Sequence, residues 1–189
     1  MMNIVIMGPP GAGKGTVCKR LVNDFNYILI TAGDLLRQEK ESGSDLGNTI
    51  ASIIDKGNLV SDEMITEIIL NEIKKPRSFD TSYLIDGYPR TKRQALDLDG
   101  MIKVGCVVWI SCSDETTIKR NLKRGETSGR PDDSNVDIIK TRIENYKRDS
   151  YPLKSYYQNK IIEIDGEGDP DLVYQRVVES INEKLNQIK

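Results

Sequence analysis

Five short apolar runs punctuate the chain, at residues 4–7, 27–30, 83–85, 107–110 and 161–164. They are rich in Ile, Val and Tyr, and several are apolar at successive positions rather than alternate ones. Strands buried on both faces have this pattern. Longer amphipathic segments separate them and predict helices over 17–25, 33–41, 45–56, 62–75, 91–98, 114–123, 136–157 and 169–189. Strands that alternate with helices predict an α/β fold, a parallel sheet with helices on both sides. Ser61, Asp62 and Glu63 read as a capped helix start. Asp169-Pro170 reads as an N-cap followed by proline at the first helical position. Leu172, Val173, Val177, Ile181 and Leu185 then recur at helical spacing as a core stripe.

Two stretches depart from this rhythm. About fifty residues of high helical content separate the second and third apolar runs, whereas a bare crossover needs only a dozen or so. The excess predicts a helical insert standing off the sheet. Residues 124–133 are polar and carry glycines, which predicts a loop or small lid. There is no internal repeat and no low-complexity tract, and 189 residues suit one domain with a real core.

The first apolar run leads directly into Gly8-Pro9-Pro10-Gly11-Ala12-Gly13-Lys14-Gly15-Thr16. A strand, a glycine-rich loop and a helix with lysine at its mouth form a phosphate-binding arrangement. The loop curls so that backbone N–H groups point at anionic oxygens. The helix N-terminus adds partial positive charge, and Lys14 adds a full one. The general pattern has Ser or Thr right after the lysine; here Gly15 takes that place and Thr16 follows.

Composition narrows the chemistry. A net charge of -2 with 30% charged residues fits a soluble globular chain and argues against a general nucleic-acid binder. There is no histidine, which removes His-based general-base catalysis and His-ligated metal sites. The three cysteines, Cys18, Cys106 and Cys112, form no Cys-x-x-Cys pair and argue against a disulfide framework or structural zinc. Cys18 and Cys106 read as small apolar core groups. No stretch approaches the run of about 20 apolar residues needed to span a membrane, and no secretory leader pattern opens the chain. A reducing, cytoplasmic setting is expected.

Arginines recur where local chemistry is unusual: Arg37 early in the insert, Arg90 just past the third run, Arg124 and Arg130 around the polar loop, and Arg120 and Arg142 on flanking helices. Each alone reads as a solvated surface charge. Beside a phosphate loop they read as a set, because guanidinium groups pair bidentately with phosphate and stay charged. Asp86 ends the third run, where an acid faces the ligand crevice of an open sheet and can hold water around Mg²⁺.

Four motifs, in order, resemble those of the nucleoside monophosphate kinases: Gly8 to Thr16, Thr31-Ala32-Gly33-Asp34-Leu35-Leu36-Arg37, Asp86-Gly87-Tyr88-Pro89-Arg90, and Arg124 to Asp133. The resemblance covers nearly the whole chain and is greatest to short-lid adenylate kinases, then to UMP/CMP kinases. It implies a P-loop NTPase fold of three layers, α/β/α, with a five-stranded parallel sheet. The single domain, 1–189, would carry a monophosphate-binding insert at about 31–60 and a short lid at about 124–134. The implied reaction is transfer of the ATP γ-phosphoryl group to AMP, with Mg²⁺ and without zinc, in a cytoplasmic monomer that binds neither nucleic acid nor membrane.

The resemblance also implies roles. Gly11, Ala12, Gly13, Lys14, Gly15 and Thr16 would hold ATP phosphates, with Lys14 on the transferring group. Arg120 would stack near the ATP base, Arg124 would contact ATP phosphates, and Gly168 would offer backbone near that adenine. Arg37 and Arg90 would grip the acceptor phosphate, and Arg130 and Arg142 would bridge the two phosphates. Ala32, Asn58, Leu59, Val60, Gly87, Tyr88, Pro89 and Gln94 would shape the acceptor base pocket. Lys14, Arg90, Arg124, Arg130 and Arg142 form the catalytic set, and Asp86 would meet Mg²⁺ through water.

Two features depart from the short-lid pattern. Ala32 stands where adenylate kinases usually carry Thr and resembles UMP/CMP kinases, whereas Gln94 matches the adenine edge. The hydrogen-bonding amide should discriminate more than a lost hydroxyl and methyl, so AMP is favoured over CMP or UMP. One extra residue, near Ser134, separates Arg130 from Arg142. A non-catalytic nucleotide-binding regulator is the alternative of a different class, and the full arginine set argues against it.

Overall fold

The computed structural model describes residues 2–78, 81–128 and 130–188. Five strands, β1 (Asn3–Met7), β2 (Ile28–Thr31), β3 (Tyr83–Asp86), β4 (Val104–Ser111) and β5 (Ile161–Asp165), form one sheet in the order β2-β3-β1-β4-β5. All its pairings are parallel. The side-chain period of two divides the core between the sheet's faces. Val5, Met7, Ile85, Val107 and Trp109 belong to one buried cluster. Ile4, Ile6, Leu84, Cys106, Val108 and Ile110 belong to the other. Cys18 and Cys106 are fully buried, as their apolar reading required.

The crossovers supply the outer layers. Helices α1 (Lys14–Phe25), α2 (Ala32–Glu41), α3 (Asp45–Ile54), α4 (Asp62–Ile73) and α5 (Lys92–Met101) come first in the chain. They are followed by α6 (Asp114–Ser128), a 3₁₀ turn (Pro131–Asp133), α7 (Val136–Ser150), α8 (Leu153–Tyr156) and α9 (Pro170–Ile188). Side chains that compete with helical backbone elsewhere satisfy free N–H groups at the helix starts. Ser44 accepts from Gly47 N at 2.9 Å, Ser61 from Met64 N at 3.3 Å and Thr91 from Gln94 N at 3.2 Å. Asp169 accepts from Asp171 N at 2.7 Å, ahead of Pro170. Helices α2 and α3 pack on each other between β2 and α4. No helix among the described residues is long and apolar enough to cross a membrane.

Among the boundaries that differ from the sequence expectation, three have a visible physical cause. β4 begins at Val104 rather than Val107, because Gly105 hides the strand pattern; a Cβ there would come within 2.7 Å of the Met2 side chain. The segment expected as one helix over 136–157 is two, α7 and α8. Pro152 lies at the break and has no N–H with which to continue the helix. The polar stretch expected as loop from Arg124 is helical through Ser128. Gly125 does not break α6; it admits the 3₁₀ turn, and a Cβ there would approach Asp133 O to 2.8 Å. Gly129 in that stretch, and Lys189 at the end of the last expected helix, lie outside the described residues.

This topology brings the loops after all five strands to the carboxyl edge of one sheet, where open α/β sheets bind ligands. β1 is central, flanked by β3 and β4, while β2 and β5 are the edges. The site therefore depends on both cores that hold the sheet. Leu98 is fully buried in the first. Leu98→Ala should lower the unfolding free energy by about 2–5 kcal/mol through lost burial and a residual cavity, measured by urea titration at fixed pH.

Candidate active site

The loop after β1 and the start of α1 form the floor of the site. Gly13 has φ 91° and serves as the α1 N-cap; a left-handed conformation of this kind favours glycine. Gly11 has φ 86°, and an added Cβ would overlap the Asn121 amide and approach Thr117 O to 2.7 Å. Asn121 Nδ2 donates to Pro10 O at 2.9 Å and Thr117 O at 2.7 Å, so α6 supports the loop from beside it. Free N–H groups in the first turn of α1 and its positive dipole end suit an anion.

Lys14 Nζ donates to the carbonyls of Gly8 and Pro9, each at 2.9 Å. Burial pulls the Lys14 pKa down to about 8; Asp86 opposes this, and Arg90, Arg142 and Arg124 reinforce it. Asp86 ends β3, in register with Ile6 on one side and Thr31 on the other. Burial raises its pKa, while Lys14 and Arg90 counter the rise. Its Oδ1 is buried without a hydrogen-bond partner.

Above this floor is a cavity of about 830 Å³. Arg37, Arg90, Arg120, Arg124, Arg130 and Arg142 all line it, together with Lys14 and Asp86. Gly11, Ala12, Gly13, Gly15, Thr16, Gly87, Pro89 and Gly168 complete the expected residues that reach it. The others do not line the cavity. Ala32, Val60, Tyr88 and Gln94 are buried, Leu59 is half-buried and Asn58 is exposed. The extra residue near Ser134 leaves Arg142 on the cavity wall: Ser134 Oγ bonds to Arg130 O at 3.3 Å, and Asn135 caps α7 through Asp137 N at 2.8 Å.

The cations are held by acceptors. Arg120 donates to Gly166 O at 3.0 Å and Gly168 O at 3.2 Å, joining α6 to the loop after β5. Arg90 is anchored at three points: its N donates to Gln94 Oε1 at 2.7 Å, its Nε to Gly87 O at 3.0 Å, and its O accepts from Ser150 Oγ at 3.1 Å. Asp34 pairs with Arg37 and lies 3.7 Å from Arg130. Asp133 receives two bonds from Arg124, at 2.6 and 2.7 Å, and one from Arg142 at 2.8 Å.

Asn121, Asp133, Asp34 and Ser150 were not identified as site residues from sequence. Asn121 did carry a signal, because it lies between Arg120 and Arg124 on one helix. Asp133 has no exposed side-chain surface, which spacing alone does not reveal. Burial would raise its pKa, but hydrogen bonds from Arg124 and Arg142 hold it below the usual carboxylate value. Its ion pairs therefore stabilise the fold above the ordinary carboxylate range and are lost as pH falls through the depressed value. Asp133→Asn should cost about 1–3 kcal/mol at pH 7, less than a fully buried pair because both arginines keep solvent contact. In urea titrations, the gap from the unsubstituted protein should narrow as pH falls below the carboxylate range.

A phosphate-loop floor beneath six arginines is a geometry for gathering several anionic groups, and comparison with known proteins identifies the same family. The family model for adenylate kinase matches residues 6–162. The chain is 38% identical to an adenylate kinase of Maricaulis maris over 190 residues, covering 97% of this chain and all of that protein. It is 37% identical to one of Flavobacterium johnsoniae, over all of this chain and 98% of the relative. It is also 37% identical to adenylate kinase isoenzyme 1 of Gallus gallus, over 92% of this chain and 91% of the relative. The fold, the loop and the sequence matches together show that this chain belongs to the adenylate kinase family.

Proposed function

We propose that this chain transfers the γ-phosphoryl group of ATP to AMP, giving two ADP. The observation that carries the reading is the distribution of cations around one central loop. Arg37 follows β2 at one edge of the sheet, and Arg120 bonds to the loop after β5 at the other. Both line the cavity that holds Lys14. A site for two phosphorylated substrates needs charge on both sides of the transferring group.

In this reading Gly11 to Thr16 hold the ATP phosphates, Arg120 and the Gly168 backbone receive its base, and Arg124 meets its phosphates. Arg37 and Arg90 grip the acceptor phosphate, while Arg130 and Arg142 bridge donor and acceptor. Ala32, Asn58, Leu59, Val60, Gly87, Tyr88, Pro89 and Gln94 shape the acceptor base pocket. An acceptor phosphate oxygen attacks the γ-phosphorus and the bond to ADP breaks. The nucleophile is already anionic, so no general base is required. Alignment and charge neutralisation carry the rate.

Asp86 suits a role toward Mg²⁺. Its unpartnered Oδ1 is an available hard acceptor, and no group of three His, Cys, Asp or Glu side chains among the described residues is disposed to hold a metal directly. Asp86 would therefore hold the ion through water on the nucleotide. When bound, Mg²⁺ supplies further neutralisation of phosphate charge. The insert over about 31–60 and the lid over about 124–134 would close over the substrates and exclude water, a competing phosphoryl acceptor. We place this reaction in a cytoplasmic monomer.

The deciding assay incubates the protein with Mg-ATP and each of AMP, CMP, UMP and GMP, and resolves the diphosphates formed. AMP should be the best acceptor; no diphosphate from any of them would refute the kinase reading. Lys14→Met should reduce kcat by roughly a hundredfold or more. With its pKa at about 8, Lys14 is a cation below that pH and loses the proton above it. The kcat/KM for ATP should fall as pH rises through about 8, because this ratio reports the free enzyme. Bound phosphates restore the proton, so kcat should hold to higher pH.

A further inference from the structure

We propose that Asp62 fixes the orientation of the Gln94 amide, so that the acceptor pocket selects bases with an amino group beside a ring-nitrogen acceptor over their oxo counterparts. The inference rests on Gln94 contacting the acceptor base, as in the reading above.

Gln94 lies in the first turn of α5 and is 3% exposed. Its Nε2 donates to Asp62 Oδ1 at 2.8 Å, and its Oε1 accepts from Arg90 N at 2.7 Å. Asp62 begins α4. Its other oxygen accepts from Thr91 Oγ1 at 2.9 Å, and that hydroxyl accepts from Gln94 N at 3.2 Å. The carboxylate is thus bonded at both oxygens, to two residues around one helix start.

Chemistry leaves the amide a single orientation. An ionised carboxylate only accepts, and a backbone N–H only donates. A flipped Gln94 would set oxygen against the carboxylate and NH₂ against the Arg90 N–H, losing both bonds and creating two repulsive contacts. A primary amide has two N–H donors and two acceptor lone pairs. Asp62 and Arg90 use one of each, so one donor and one acceptor remain, in an order the protein has fixed.

That order has consequences for the base. Adenine presents an amino donor beside a ring-nitrogen acceptor, and cytosine does the same. Hypoxanthine, guanine and uracil present a carbonyl beside a ring N–H, the reverse order. They could pair with Gln94 in the same pose only if its amide turned over. Asp62 is thus a positioning residue for base choice, acting through Gln94. Within this scheme the tolerated second acceptor is CMP rather than UMP.

The test compares AMP with IMP, which differ at the amino or oxo group, as a ratio of kcat/KM values. The unsubstituted protein should favour AMP by about a hundredfold or more, because the wrong base leaves buried polar groups unpaired. Asp62→Asn, which can offer a donor to Gln94 Oε1, should reduce that preference by roughly tenfold. Asp62→Glu, which keeps an acceptor-only group, should recover much of it and provides a second variant. In a Gln94→Leu background the ratio should fall toward one, and adding Asp62→Asn should not move it further.

A purely structural role for Asp62 would slow AMP and IMP by the same factor and leave the ratio intact. If the ratio collapses in Gln94→Leu but is unmoved in Asp62→Asn, the orientation lock is overturned while the base contact stands. If Gln94→Leu leaves the ratio unchanged, the base contact itself is overturned. Absence of turnover with every monophosphate would overturn the functional reading beneath both.

Discussion

The constraint on which this molecule depends is the crowding of like charge. Lys14 and six arginines share the wall of one cavity, and each disfavours its neighbours. The effect is visible at Lys14, where burial pulls the pKa down and Arg90, Arg142 and Arg124 add to the fall. The fold holds the set together with acceptors. Carbonyls of the β1 loop receive Lys14, carbonyls after β5 receive Arg120, and Asp133 receives Arg124 and Arg142. Backbone carbonyls suit this task because they bring partial negative charge without cancelling the cation outright. The cluster stays electropositive toward a ligand and remains compatible with a folded chain.

The sheet makes that arrangement possible. A parallel sheet buried on both faces needs crossovers, and its crossovers bring successive strand ends to one rim. Residues distant in sequence meet there without any long loop having to find its place. Arg90 shows the precision this gives. Gln94, Gly87 and Ser150 anchor its N, Nε and O separately, so its guanidinium is aimed by elements of the scaffold.

What could be read from sequence follows the range of the physics involved. The strand runs and the glycine loop were legible because both are local: a run of apolar residues and a turn with positive φ are encoded within a few positions. The arginines were legible through the company of four motifs. Errors arose where a residue's local habit yields to its surroundings. Gly125 suggested a break but lets two segments approach, and Gly105 concealed the start of β4 beneath Met2. Pro152 divided a helical pattern that otherwise runs on. Asp62 was legible only as part of a helix start and Asn121 only through the arginines beside it, while Asp133 carried no local signal, because the importance of all three lies in burial and pairing across the fold.

Asn121 illustrates how little freedom such a position retains. It is fully buried, its Nδ2 serves the carbonyl of Pro10, and its Oδ1 accepts from Arg124 at 2.9 Å. Aspartate would keep the second contact and lose the first. Leucine would lose both, and glutamine would carry an extra methylene into the space against Gly11. The donor and acceptor ends of one short amide join the loop after β1 to Arg124 on α6. A substitution at this one position would therefore disturb the loop after β1 and the Arg124 guanidinium together.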